Sequence, residues 1–249
     1  MALTVAREAV QRSSCVENRA VDQIVVCATS LEHDLALSCA GRLHSEFRST
    51  YPPFATGQLQ GVCAFLALQI ASDMMAQDER MNTILIAGAE RWLPPFSRVI
   101  GSLTALGDGA AAALVQCGTQ SGWHVRSLTL HTPCLTTSRD EEIDASLLLE
   151  VIAKTLSKAK LQSGEIDWVV PARINPSLAL EISTRAQLPE KRIWYPQPAD
   201  IGYLCSADAL AQLDTLLQWL VPSEGKRILL WSAGLQGQAA CAILEFRGS

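Results

Sequence analysis

A chain of 249 residues, 49% hydrophobic and 18% charged, carries enough apolar surface to build a large core in one domain or two. Its formal net charge of −5, with no dense Lys/Arg stripe, argues against nucleic acid as a partner. No uncharged apolar run approaches the ~20 residues of a membrane span. The N-terminus lacks the basic-then-apolar pattern of a signal peptide, so a cytoplasmic protein is expected.

Apolar residues at helical spacing predict a helix from Leu3 to Ser13. The short apolar run Gln23-Ile-Val-Val-Cys-Ala28 predicts a strand covered on both faces. Leu35 to Phe47 has the spacing of a second amphipathic helix. Gly61 to Met75 is apolar almost all round, the pattern of a helix buried mid-molecule. Asn82 to Gly88 is a second buried strand, and Gly107 to Val115 a turn entering a third. A Gly/Ser/His/Pro-rich stretch from Gly118 to Ser138 encloses a strand at His124 to Leu130.

The second half repeats this outline. Glu141 to Lys160 is a long amphipathic helix, acidic at its start and Lys-rich at its end, as the helix dipole favours. Asp167 to Pro171 is a strand. Pro176 to Ala186 is a helix with Asn175 as its cap. Ser206 to Leu220 is another, ended by Pro222. Two strands, Lys226 to Trp231 and Gln238 to Phe246, are joined by Ser232 to Gly237. The alternation predicts an α/β fold with mostly parallel central sheets and two similar halves, residues 1–118 and 119–249.

Eight cysteines are scattered without a C-x-x-C pair, most inside apolar segments, and read as buried free thiols in a reducing compartment. The four histidines lack metal-ligand spacing, and no metal or cofactor is expected. Trp168, Trp194, Trp219 and Trp231 are read as core.

Several stretches resemble the thiolase-like condensing enzymes, most closely ketoacyl-ACP synthase III. Val21 to Ser30 resembles the strand that begins "DQI" and ends "TS" in that family. Leu106-Gly-Asp-Gly-Ala-Ala-Ala112 resembles its "F-G-D-G-A-x-A" signature, whose small residues permit close packing and whose Asp can cap backbone N–H groups. Phe54 to Asp73 resembles its strand and nucleophile helix. The resemblance implies two halves stacked as a five-layered α-β-α-β-α sandwich. It also implies that the family's opening strands and long loop are absent here, so an N-terminally truncated fold is expected.

The departures bear on chemistry. Counting back from Ala67-Leu-Gln-Ile-Ala71, the family's nucleophilic cysteine falls on Gly61, which offers no thiolate at the helix N-terminus. Val169-Val-Pro-Ala-Arg-Ile-Asn175 resembles "V-x-P-H-Q-A-N", with Ala172 at the histidine. Asp200 to Asp208 resembles the segment opening "G-N" or "G-H", with Tyr203 at the asparagine or histidine. Gly234 and Gly237 stand where the family keeps a glycine-rich turn beside the oxyanion hole. Cys63 is the fallback nucleophile, but two residues along a helix turn it roughly 200° from position 61, and a core thiol is the simpler reading. Arg91, Trp92 and Arg98 lie in the segment near the family's substrate entrance, where they could receive acyl-CoA or an acyl carrier protein; a solvated loop is the plainer account. Tyr51 to Gln60, with Phe54, Thr56, Gln58 and Gln60, is expected to form the dimer strand and its entry.

Two functions fit. One is a non-catalytic subunit that pairs, as a heterodimer or heterotetramer, with an intact ketoacyl synthase of fatty-acid or polyketide type and shapes its acyl site. The other is an acyltransferase or thioesterase using Cys63 or Tyr203. A lone acyl or ligand carrier is a third, weaker option.

Overall fold

In the computed structural model, residues 1–13, 21–30, 38–118, 121–133, 143–195 and 201–248 are described. The β-branched run that makes strand β1 (Gln23–Ala28) is buried along most of its length. It lies inside the first sheet, whose order is β2-β1-β3-β6, between β2 (Phe54–Gly57) and β3 (Thr83–Glu90), with β6 (Gly109–Gln116) outermost. Helices α1 (Ala2–Arg12) and α2 (Cys39–Phe47) cover one face through Ala6, Leu43, Val26 and Leu85. Ser38 caps α2 by accepting from the Gly41 N–H at 3.0 Å.

The second sheet runs β7-β10-β9-β8, formed by Gly122–His131, Ala239–Arg247, Arg227–Ala233 and Trp168–Val170. Its outer face is covered by α4 (Ala145–Ala159) and α5 (Pro176–Arg185), which bring Leu148, Ile152 and Ile182 against Leu229, Trp231 and Ile243. Asp144 caps α4, and Asn175 caps α5 with Pro176 in the first turn. Between the sheets lie α3 (Cys63–Gln77) and α6 (Asp208–Trp219). Helix α3 touches β1 and β3 on one side and β7 and β10 on the other, which explains a helix apolar almost all round. The layers are therefore α-β-α-β-α, a thiolase-like fold. Among the described residues no helix is long and apolar enough to cross a membrane.

Three expectations need correction. The sheets are mixed: β1/β2, β1/β3 and β8/β9 are parallel, but β3/β6, β7/β10 and β9/β10 are antiparallel. The connection from β9 to β10 is too short for a crossover and must be a hairpin. Trp219 is not core but 81% exposed, because it ends α6 where the chain turns to solvent; Trp231 is fully buried, and Trp168 and Trp194 form a half-buried edge-to-face pair. The nucleophile-region helix begins at Cys63, after a tight turn of Gln60–Val62, so Gly61 precedes it. Among the described cysteines, Cys27, Cys63, Cys205 and Cys241 are buried free thiols, but Cys39 is half-buried and Cys117 exposed. The expected helix starts at Leu35 and Glu141, and Cys15, Cys134, His33 and Asp200, lie outside the described residues.

Candidate functional site

The turn before α3, the loop before α6 and the end of β9 meet at one point. Gly61 is buried, and its N–H donates to the Tyr203 phenol oxygen at 3.0 Å. The phenol in turn donates to the Ala233 carbonyl at 3.2 Å. Tyr203 is completely buried. A Cβ built on Gly61 would stand closer than 3.0 Å to both the Tyr203 oxygen and the Ser232 Oγ. Glycine is thus required by close approach, and the space a side chain at 61 would need holds the chain's own phenol.

Tyr203 is clamped from its backbone as well. Its N–H donates to the Ala105 carbonyl at 2.8 Å, and its carbonyl accepts from Gly107 at 3.0 Å. Burial pushes the phenol well above its ordinary value of 10.0, so it is protonated at neutral pH and acts as a donor. The Ser232 hydroxyl, also buried, lies against it but has no well-aligned hydrogen-bond partner. It still favours the ionised phenol slightly, and burial outweighs it.

The glycine turn after β9 is closed on itself. Gly234 N–H donates to the Gln238 carbonyl at 2.8 Å, and Gly237 N–H to the Gly234 carbonyl at 3.1 Å. The amide between them, Leu235 N–H, donates to the side-chain oxygen of Gln60. The amides of Gly61, Gly234, Leu235 and Gly237 are therefore all engaged by the chain itself, and none is left for an oxyanion.

Ala172 is buried in the same apolar cluster as Tyr203, Cys205, Trp231 and Trp92. It offers a methyl where the resemblance implies an imidazole. The neighbouring Arg173 N–H donates to Asp208 at 2.9 Å. Asp208 is fully buried; burial raises its carboxyl to about 6, against the opposing pull of hydrogen bonds from Arg173, Gln212 and Leu204.

Cys63 does not join this constellation. Its side chain packs with Val25, Cys27, Ala67 and Ile84 on the inner face of the first sheet, and burial raises its thiol. Cys27 is pushed up to about 12 by the same cause. Neither is a thiolate at neutral pH. Cys205 is buried beside Tyr203 and raised likewise.

The substrate-segment residues separate. Trp92 is buried, with Phe96 edge-on against it. Arg98 donates to the Trp92 carbonyl at 2.7 Å and to Asp108 at 2.8 Å, and Asp108 accepts the Trp92 N–H at 2.8 Å. The signature aspartate thus caps the backbone and ties down the arginine, whose guanidinium holds the Asp108 carboxyl below its usual range. Arg91 is exposed, its N–H bonded to Ser30. An open groove lined by Arg98, Leu106, Asp108 and Ile201 runs outside the Tyr203 segment. Along the expected dimer strand, Phe54 packs inward with the Cys63 cluster, and Thr56 donates to the Cys27 sulfur at 3.5 Å. Gln58 is exposed, whereas Gln60 reaches inward to Leu235. Among the described residues strand β2 pairs only with β1 and forms one edge of the first sheet.

Residues 59–133 match the family model for 3-oxoacyl-[acyl-carrier-protein (ACP)] synthase III, and residues 156–246 match the model for the C-terminal part of that synthase. The chain belongs to the 3-oxoacyl-ACP synthase III family. The β-ketoacyl-[acyl-carrier-protein] synthase III of Coxiella burnetii (strain RSA 493 / Nine Mile phase I) is 22% identical over 223 residues, which take in 78% of this chain and 66% of that protein. The chain thus spans just under two thirds of that relative. Among solved structures, ChlB3, described as an acyltransferase, has a TM-score of 0.85 at 18% identity and covers 99% of this chain and 83% of its own. The 3-oxoacyl-[acyl-carrier-protein] synthase III of Aquifex aeolicus VF5 has a TM-score of 0.79, also at 18% identity, with 99% and 83% covered. At these identities the likeness shows a shared fold.

Three residues of this synthase III-like site escaped the sequence reading: Gln60 as a cap on Leu235, Ser232 against the phenol, and Cys205 beside it. Ser232 stands just before the glycine turn, a placement that could have pointed to it. Nothing local singles out the other two.

Proposed function

We propose that this chain is a non-catalytic synthase III-like subunit. It pairs with a catalytically intact β-ketoacyl synthase of a fatty-acid or polyketide-type pathway and braces or shapes that partner's acyl site. The observation that carries the reading is the Tyr203 phenol, buried and hydrogen-bonded in the volume a nucleophile would need. Condensation needs a thiolate, an enolate-stabilising donor and free oxyanion amides. Gly61, Ala172 and the engaged amides of Leu235 and Gly61 supply none of these.

The partner is suggested by the edge at β2. Among the described residues no strand pairs with the outer side of its four residues, and an uncovered edge invites association. On α3, which touches β2, Leu66 and Ile70 are only half-buried. An interface covering such an edge and helix should be large and apolar, on the order of 2,000 Å² or more. The competing reading, acyl transfer by Cys63 or Tyr203, has less support: the thiol is buried with a raised pKa, and the phenol is protonated and hydrogen-bonded on both sides.

Co-expression with an intact synthase from the same gene cluster, followed by size-exclusion chromatography with light scattering, tests the pairing. A stable complex with equal numbers of the two chains is expected, together with self-association of the chain alone. A well-behaved monomer that ignores the synthase would sink the proposal.

A further inference from the structure

The turn joining edge strand β2 to α3 is strained. Gln58 has φ 63° and Gln60 φ 51°, both in the left-handed region that disfavours residues other than glycine. Such conformations persist only where the surroundings over-determine them. Here the surroundings come from the far half of the chain. The Gln60 side chain accepts the Leu235 N–H, 175 residues away. The next residue, Gly61, donates to Tyr203, 142 residues away. Tyr203 is itself anchored at Ala105 and Gly107, in the segment leading into β6, and at Ala233, the last residue of β9. The residues at the old chemical positions therefore do mechanical work on the turn that leads out to the sheet edge.

We propose that Tyr203 and Gln60 are positioning residues that latch the 57–62 turn, fixing the geometry in which the β2 edge meets its partner; this rests on the partner reading above. The site has been converted from chemistry to a structural lock. A side chain at 61 is excluded because the phenol must reach the Gly61 amide. Gln60 is held at its unfavourable φ with its side-chain oxygen on the Leu235 N–H.

Hydrogen exchange read by mass spectrometry on the whole chain tests the latch, comparing the native protein with Tyr203→Phe, Gln60→Met and Gln60→Glu. Tyr203→Phe removes the acceptor for Gly61, and Gln60→Met the acceptor for Leu235; Gln60→Glu retains an acceptor and serves as the rescue. Exchange over 57–62 should quicken ~10-fold or more in the first two, the equivalent of one lost hydrogen bond. Strands β1 and β10 should keep their protection, and Gln60→Glu should resemble the native chain. Unchanged exchange at 57–62, or a uniform rise across every element, overturns the latch. Affinity for the co-expressed synthase is measured on the same proteins. A loss of ~10-fold or more in the two latch variants supports the positioning role; local loosening with undiminished affinity overturns it. Failure of the native chain to bind the synthase overturns the partner reading, while the exchange data still decide the latch.

Discussion

Gly61→Ala adds one methyl at the position a nucleophile would occupy, and nothing else. In open space at a compatible backbone that change would gain ~0.4–1 kcal/mol by stiffening the unfolded chain. Here the new Cβ overlaps the Tyr203 oxygen, at the end of a ring that cannot rotate away, and the Ser232 Oγ, which can. Overpacking a filled core costs ~1–3 kcal/mol. Displacing the phenol also weakens its bonds to Gly61 and Ala233, at ~1 kcal/mol each. The expected net loss is ~2–4 kcal/mol, or roughly 5–15 °C in Tm for a chain of this size. Tyr203→Phe alone should cost a similar ~2–4 kcal/mol, by leaving a buried N–H and a buried carbonyl unpaired. In the double variant the alanine methyl enters the space the hydroxyl has left. Its loss should therefore fall short of the sum of the single losses by at least ~1 kcal/mol. Urea unfolding of the four proteins closes the cycle. Additivity within ~0.5 kcal/mol, or a stabilising Gly61→Ala, would refute the claim that the phenol fills the nucleophile's volume.

Two other outcomes follow from the buried groups. Asp208, raised to about 6 by burial, binds its proton more tightly in the folded than in the unfolded chain. Its contribution to stability is therefore fully present below about pH 4 and is lost as pH rises through 6, a change on the order of 3 kcal/mol. Asp208→Asn should flatten that limb of the stability–pH curve, and an unaltered limb would contradict the assignment. Thiol alkylation of the native protein should modify Cys117 and, more slowly, Cys39, while Cys27, Cys63, Cys205 and Cys241 react only on unfolding. Peptide mapping that finds Cys63 labelled early would show an accessible thiol at the helix start.

Much of the fold was legible because its signals are local. The apolar run 23–28, the all-round apolar α3 and the Asn175-Pro176 start each declare an element within a few residues. The glycines of the "F-G-D-G-A-x-A" signature, and the small residues at Gly61 and Ala172, can likewise be read in place. What escaped depends on partners far along the chain. That Tyr203 reaches Gly61, or Gln60 reaches Leu235, follows from stacking two halves, and no periodicity encodes it. The sequence places Tyr203 at the asparagine or histidine of the resemblance; its role emerges only with the volume beside Gly61. Trp219 misled because its place at the exposed end of α6 depends on where the helix stops rather than on its apolar pattern. Strands β4 (Val99–Ile100) and β5 (Thr104–Ala105), at two residues each, are too short to show alternation.

The central claim, which rests on the proposed function, is that no group of this site forms a covalent acyl intermediate. Intact-protein mass spectrometry after incubation with acyl-CoA and with acyl carrier protein carrying an acyl chain tests it most directly. The account predicts an unchanged mass, in the native chain and equally in Gly61→Cys, where the new thiol meets the Tyr203 phenol and has neither a histidine at 172 nor a free amide at Leu235. An acyl adduct on the native protein, mapped to Cys63, Ser232 or Tyr203, would contradict it.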